Sequence, residues 1–472
     1  MSENNVHLKK DVSALDVFCL ALGSIIGWGC FVLPGNEFLQ KAGPLGMALG
    51  MALGAVLICV ISFCYGFMIR KIPLAGGEFT YGYSVFGKKI GFLAGWALVL
   101  VYWAAIPMNA TAIGMIGRYL FPGILQRGQL YQVAGWDVYL GEILFASFFV
   151  ILFAYVNIKG VKAAGWVQSA TTIILVVAIL VITGAALLNN PNFSNLQPAF
   201  APDKTPIAGI FAVSAMAPWA FMGFGCIPQA ASEYSFSPKK AMWLLLGAVV
   251  IATMLYICVN TVTAIYMPWT EMLASKPFWA TGSAIESIMG TPGLVVVGVA
   301  MFAAVLSSMN GSFLAVSRVM YSMSKMEALP KWFGKLDEKT CTPKNSLLFV
   351  AVLALIAPWF GREVLGWIVD MTSVGGSIAF GITCLAAFVF ARQDKNTFYS
   401  VAGILGFVFS MFFLGLLIIP TAPGALSTPA AIALGIWLVG GFILYFKVRP
   451  VYEKSTLDIS VIDDPVVCDD TV

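Results

Sequence analysis

Apolar runs long enough to cross the roughly 30 Å hydrocarbon core of a bilayer recur along the whole chain and confine it to an all-α polytopic membrane fold. Twelve spans are expected, at about 15–40, 45–69, 90–119, 138–157, 163–188, 207–233, 241–267, 292–324, 346–360, 364–391, 398–420 and 429–447. Hydrophobic residues make up 60% and charged residues 11% of the chain, whereas soluble domains carry about a quarter charged residues. Transmembrane strands alternate in polarity and these runs do not, which excludes a membrane β-barrel.

Two of the spans are interrupted at their midpoints. The first reads Gly23-Ser24-Ile25-Ile26-Gly27-Trp28-Gly29-Cys30-Phe31-Val32-Leu33-Pro34, and the sixth reads Gly223-Phe224-Gly225-Cys226-Ile227-Pro228. Each glycine weakens a helix by roughly 1 kcal/mol, and proline costs more. In hydrocarbon, broken backbone survives only where protein or a water-filled cavity satisfies it. Two Gly/Pro-interrupted spans at corresponding places in two halves point to a transporter's binding site.

Basic residues orient the chain. With the N-terminus in the cytoplasm, 21 Lys and Arg fall on inner segments and 6 on outer ones, so both termini are expected inside. A Pro/Asn-rich outer loop near 189–206 divides the chain into a tail 1–14, spans 1–5 (15–190) and spans 6–10 (206–391). Spans 11 and 12 (398–447) and a tail 448–472, expected to be disordered, complete it. Five spans per half is an odd number, so the second half enters from the opposite side, giving an inverted repeat.

Several function classes are disfavoured. The only histidine, His7, lies in the N-terminal tail, so no histidine base is available within the membrane for an enzyme. No channel-like polar helix or filter loop is visible, and no basic run suggests nucleic acid. The cysteines sit mostly inside apolar spans, as small buried hydrophobes do, and no Cys/His spacing suggests a metal. Residues 1–12 lead straight into the first span, unlike a cleavable signal peptide.

The chain resembles the amino acid–polyamine–organocation superfamily, and within it the amino acid permeases. Gly23 to Gly35 resembles that family's G-x-I-I-G-x-G-I-F-x-x-P-G motif. Pro73-Leu74-Ala75-Gly76-Gly77-Glu78-Phe79-Thr80-Tyr81, with Phe86-Gly87 and Gly91 to Trp96, resembles its loop after span 2. Phe221-Met222-Gly223-Phe224 with Glu233, and Ser317-Arg318-Val319-Met320-Tyr321 with Leu329-Pro330, resemble its motifs in spans 6 and 8. The resemblance implies a LeuT-type 5+5 fold with broken helices 1 and 6 in the cell membrane, and a monomer is adequate for that fold. The implied substrate is an amino acid or amine. A nutrient sensor on the same fold is the alternative of another class.

Carried over by position, the resemblance gives the substrate carboxylate to the amides of Gly27, Trp28 and Gly29, at the positive end of a half-helix. It gives the amine to carbonyls near Ile25 and Phe221. Trp28 departs from the family, where this position is small, and narrows the pocket or offers a π face to a cation. Trp103, Trp219 and Phe224 are candidate companions, either as an aromatic cage or as packing and gating aromatics; Trp219 and Glu233 are read as gates. In sodium-independent relatives a span 5 lysine replaces a sodium ion, and alignment puts Ile174 or Leu175 there. Ser307 and Ser308, with carbonyls near Gly23 and Ile26, are therefore candidate ligands of a coupling Na+. Proton symport and ion-independent exchange remain the alternatives. Glu37, Glu142 and Asp370 are further ionisable residues in or near spans. No acidic pair flanks either break, which argues for neutral solutes over dications.

Overall fold

The computed structural model describes residues 13–121, 123–133, 136–189, 191–229, 231, 235–275, 279–337, 339–361, 364–422 and 424–463. Among these, eleven helical stretches are long and apolar enough to span a membrane, and a shorter apolar one, Lys344–Phe360, lies where span 9 was expected. The chain is an all-α polytopic membrane protein.

Span 1 is built from α1 (Ala14–Ile25) and α2 (Gly29–Leu33). Ser13 starts it with a reciprocal cap: its hydroxyl accepts from the Asp16 amide at 3.2 Å, and Asp16 accepts from the Ser13 amide at 3.1 Å. Ile26 then leaves helical geometry at φ −89°, ψ 83°. A π-helical turn, Pro34–Phe38, leads directly into α3 (Leu39–Lys71), which bends at Gly43 with φ 71°. Only glycine adopts that angle freely, and a Cβ there would also press on the Phe200 backbone at 2.7 Å.

A connector helix, α4 (Glu78–Phe86), precedes α5 (Lys88–Leu120). The loop after α5 holds an antiparallel hairpin, Gln129–Val133 against Trp136–Tyr139, which the hydropathy pattern does not announce. Next come α6 (Leu140–Ile158) and α7 (Val161–Leu188). Span 6 is again composite: α8 (Pro206–Ser214), α9 (Ala217–Ala220), a 3₁₀ turn Met222–Gly225 and α10 (Cys226–Gln229). The rest comprises α11 (Pro238–Ile265), α12 (Trp269–Ala274), α13 (Ala280–Lys325, kinked at Gly290), α14 (Lys344–Ala354), α15 (Val364–Gln393), α16 (Thr397–Ile418) and α17 (Thr428–Tyr452).

The C-terminal segment corrects one expectation. α17 continues past 447, and the chain through 463 packs on α4, the start of α5 and α13 instead of trailing free, while residues 464–472 of the expected tail lie outside the described residues. Lys88 Nζ donates to the Glu453 and Ser455 carbonyls at 2.8 and 2.6 Å, and the buried Tyr452 donates to the Lys88 carbonyl at 2.8 Å.

The two interrupted spans meet backbone to backbone. A Cβ on Gly223 would collide with the Ser24 carbonyl carbon and the Ile25 nitrogen. Neither backbone can yield without moving its helix, and overpacking of this kind costs about 1–3 kcal/mol. Gly223→Ala is therefore expected to lower the thermal midpoint of purified protein by several degrees. An unchanged midpoint would show that the contact is looser than drawn.

Candidate functional site

The first break exposes backbone donors. Ile26 N donates to Leu22 O at 3.0 Å and Gly27 N to Ile25 O at 3.1 Å. Cys30 N resumes the helix on Gly27 O at 3.3 Å. Among the described residues, no acceptor is found for the Trp28 and Gly29 amides. At the second break, Phe224 N donates to Phe221 O at 3.2 Å, and the 3₁₀ turn carries the chain past Ser24.

A cavity lies between these breaks. About 50 Å³ of it is open to the centre of a water molecule, which is room for roughly three or four waters or one small solute. Ile25, Gly27 and Trp28 form one wall, and Trp219, Met222 and Gly223 form the facing one. Tyr102, Met108 and Asn109 of α5 and Ser308 of α13 close the remainder. No Asp, Glu, Lys, Arg or His is among its lining residues. Trp28 and Trp219 meet edge to face, ring centres 5.9 Å apart, so the tryptophan between the two glycines narrows the cavity. Among the described residues, three buried polar atoms at the cavity have no partner, Ser24 Oγ, Trp28 Nε1 and Asn109 Oδ1. Leaving a buried donor or acceptor unmade costs about 1–3 kcal/mol each, so a ligand offering an acceptor and a donor is favoured here.

The site residues read from the sequence divide. Ile25, Gly27, Trp28 and Trp219 line the cavity, while Gly29 packs against the Trp219 ring. Trp103 is turned away and stacks on Trp437 at 5.2 Å, because its neighbour Tyr102 takes the inward face of the helix. Phe221 is buried in the core, and Phe224 stacks on Phe380 at 5.4 Å, so neither side chain is part of the lining. Glu233 lies outside the described residues. Glu37 pairs with Lys41 at 2.7 Å, Glu142 with Arg118 at 2.6 Å, and Asp370 accepts from Ser427 at 3.2 Å.

Of the candidate sodium ligands, the two hydroxyls have different partners. Adjacent residues on a helix face about 100° apart, and Ser307 and Ser308 look in different directions. Ser308 Oγ accepts from Asn109 Nδ2 at 3.1 Å at the cavity. Ser307 sits against Gly23 and accepts from Gln168 Nε2 at 2.6 Å, with Thr172 Oγ1 at 3.2 Å. Gln168 Nε2 also reaches Cys19 O at 3.3 Å, Asn310 Nδ2 donates to Gln168 Oε1 at 3.0 Å, and Asn157 Nδ2 donates to Asn310 Oδ1 at 2.9 Å. Span 5 thus presents Gln168 and Thr172 to the first break. Ile174 points outward, and Leu175 is buried but apolar. Gln168, Thr172, Asn109 and Asn310 were readable as polar residues inside apolar runs, though not with their partners.

The amino acid permease family profile matches residues 12–443. A branched-chain amino acid permease of Lactococcus lactis is 26% identical over 93% of this chain and 94% of its own length. The branched-chain amino acid permease of Bacillus subtilis is 25% identical over 95% and 94%. The methylthioribose transporter of Bacillus subtilis is 25% identical over 82% and 83%. With its interrupted helices and uncharged cavity, this chain belongs to the amino acid permease family.

Proposed function

We propose that this chain carries neutral amino acids across the plasma membrane as a secondary transporter working by alternating access. The reading includes the inverted five-plus-five repeat and cytoplasmic termini. The observation that carries it is the junction of the two interrupted spans, where unpartnered amides and polar atoms surround an uncharged cavity. A zwitterion matches that junction. Its carboxylate suits the Trp28 and Gly29 amides at the start of a half-helix, and its ammonium suits Asn109 Oδ1 and the carbonyls beside Ile25. The uncharged lining supports neutral over cationic side chains, and Trp28 with Trp219 limits their size. Since one chain supplies the whole lining, a monomer suffices.

For coupling, the closed Gln168–Ser307–Thr172 cluster supports proton-linked or ion-independent transport over the sodium coupling expected from Ser307 and Ser308. Gln168 Nε2 donates to the Ser307 hydroxyl, one of the oxygens the cation would need. A sodium ion requires several oxygens and no donor turned toward it. Uptake by proteoliposomes is expected to be unchanged when potassium replaces sodium; a loss of most uptake would restore the sodium reading.

Gly27→Ala separates binding from folding. A Cβ there would stand 3.5 Å from Ser308 Oγ and 3.6 Å from Asn109 Oδ1, in ordinary contact but inside the cavity. The variant is expected to fold with an unchanged thermal midpoint and to lose stabilisation by amino acids. Wild type should gain about 2.7 kcal/mol at 100 times the dissociation constant. A flat time course of accumulation across a wide panel, with stabilisation retained, would favour the sensor.

A further inference from the structure

Below the cavity the structure buries a carboxyl group that substrate recognition does not use. Glu78 opens α4, in the connector after span 2, and is 1% exposed. Its Oε1 accepts from the Tyr65 hydroxyl of α3 at 2.7 Å, and its Oε2 accepts from Gln229 Nε2 of α10 at 2.6 Å. Among the described residues no lysine or arginine pairs with it, although cations stand on the helices around it. Arg70 donates to Tyr399, Lys71 pairs with Asp394, Lys88 binds the C-terminal carbonyls, and Arg318 donates to Ser317. The titratable groups facing Glu78 are Tyr65 from α3, Tyr102 from α5 and Cys226 from α10.

A buried carboxylate without a cation is costly, and such a group neutralises by taking a proton. Burial accordingly pushes Glu78 up to about 7, with the Tyr65 and Gln229 hydrogen bonds pulling the other way. The site is also built for both states. Gln229 is fully buried, and among the described residues its Oε1 has no partner. When Glu78 is ionised, the amide N–H serves it; when Glu78 is protonated, a turn of the same amide offers Oε1 to the new O–H.

Its position links it to the substrate. Tyr102 and Cys226 both line the cavity. Tyr102 Oη presses on the place a Gly225 Cβ would occupy, and Glu78 Oε1 stands 3.5 Å from it on the same glycine. Span 6 therefore reaches the cavity through Met222 and Gly223 and the carboxyl through Gln229, within one short segment.

We propose that Glu78 is the proton-carrying group of this permease. The carboxylate takes one proton from water on the outer side while the cavity is open there. It holds that proton as the acid through the change of access, then gives it to water on the lysine-rich side. One proton crosses per cycle and no other bond changes. The proposal rests on the transport reading, and its test separates the two.

The test uses full-length protein in proteoliposomes with radiolabelled L-leucine and L-alanine. Wild-type uptake down a proton gradient is expected to rise about tenfold from pH 8 to pH 6, the change in protonated fraction of an acid titrating near 7. Glu78→Gln is expected to abolish this rise and gradient-driven accumulation, while counterflow exchange stays within about twofold of wild type. Tyr65→Phe removes a donor to the anion and is expected to move the midpoint upward by about half a unit or more; it also serves if Glu78→Gln does not reach the membrane. A pH-independent wild type, a Glu78→Gln variant with the wild-type profile, or an unmoved Tyr65→Phe midpoint would overturn the proton role. Absence of counterflow in wild type would instead remove the transport reading itself.

Discussion

Hydrocarbon offers nothing to a free amide or carbonyl, and an unsatisfied one costs several kcal/mol at membrane depth. Two spans of this chain nevertheless stop helical winding midway. They are tolerated because each break faces the other: Gly223 brings the sixth span onto the Ser24–Ile25 backbone, and the remaining groups open on one cavity. Placing both interruptions at one level concentrates the unpartnered polarity of two helices where a solute can meet it. The cost of breaking the helices and the means of binding a zwitterion are the same set of atoms.

The two halves of span 1 are tied to different neighbours. The half before the break is held through Cys19 and Gly23 by the buried Gln168, Thr172 and Ser307 of α7 and α13. That cluster continues through Asn310 to Asn157 of α6. Membrane side-chain hydrogen bonds are worth about 0.6 kcal/mol on average, so the cluster's strength lies in its number of linked bonds. The half after the break is held by Trp279 Nε1 on the Phe31 carbonyl at 2.9 Å and by the edge contact of Trp28 with Trp219. Between them lie Ile26, Gly27 and Trp28, the least regular backbone of the span. A segment so divided is suited to act as a hinge, since its ends move with separate groups of helices.

Much of this architecture was legible in the sequence because it is written in periodicity and in glycine and proline. The spans and both interruptions follow from rules about what hydrocarbon tolerates, whereas Ile25, Gly27, Trp28 and Trp219 were singled out through the family resemblance. Side-chain direction was less legible. Tyr102 and Trp103 are equally apolar neighbours, and only packing against Trp437 decides which one faces the solute. Of the two span 5 positions that alignment offered, Ile174 looks outward and Leu175 is buried, while the polar contact with span 1 comes from Gln168. The C-terminal segment through 463 was misread because its acidic composition resembles a solvated tail, whereas Tyr452 and the carbonyls of Glu453 and Ser455 bind Lys88 at the start of α5.

An uncharged cavity with a carboxyl beneath it separates two tasks that would interfere in one place. A carboxylate beside Trp28 would repel the substrate's own carboxylate and draw in cations instead. Set behind Gly225 and Tyr102, Glu78 exerts that field on the helix junction and leaves the solute alone. The short segment Met222–Gln229 touches both, so a shift of span 6 that tightens on substrate also changes how Gln229 addresses Glu78. Conversely, charging Glu78 in a dry site raises the free energy of whichever arrangement buries it most deeply. The two ligands then act on one two-state element, which is the physical content of coupling.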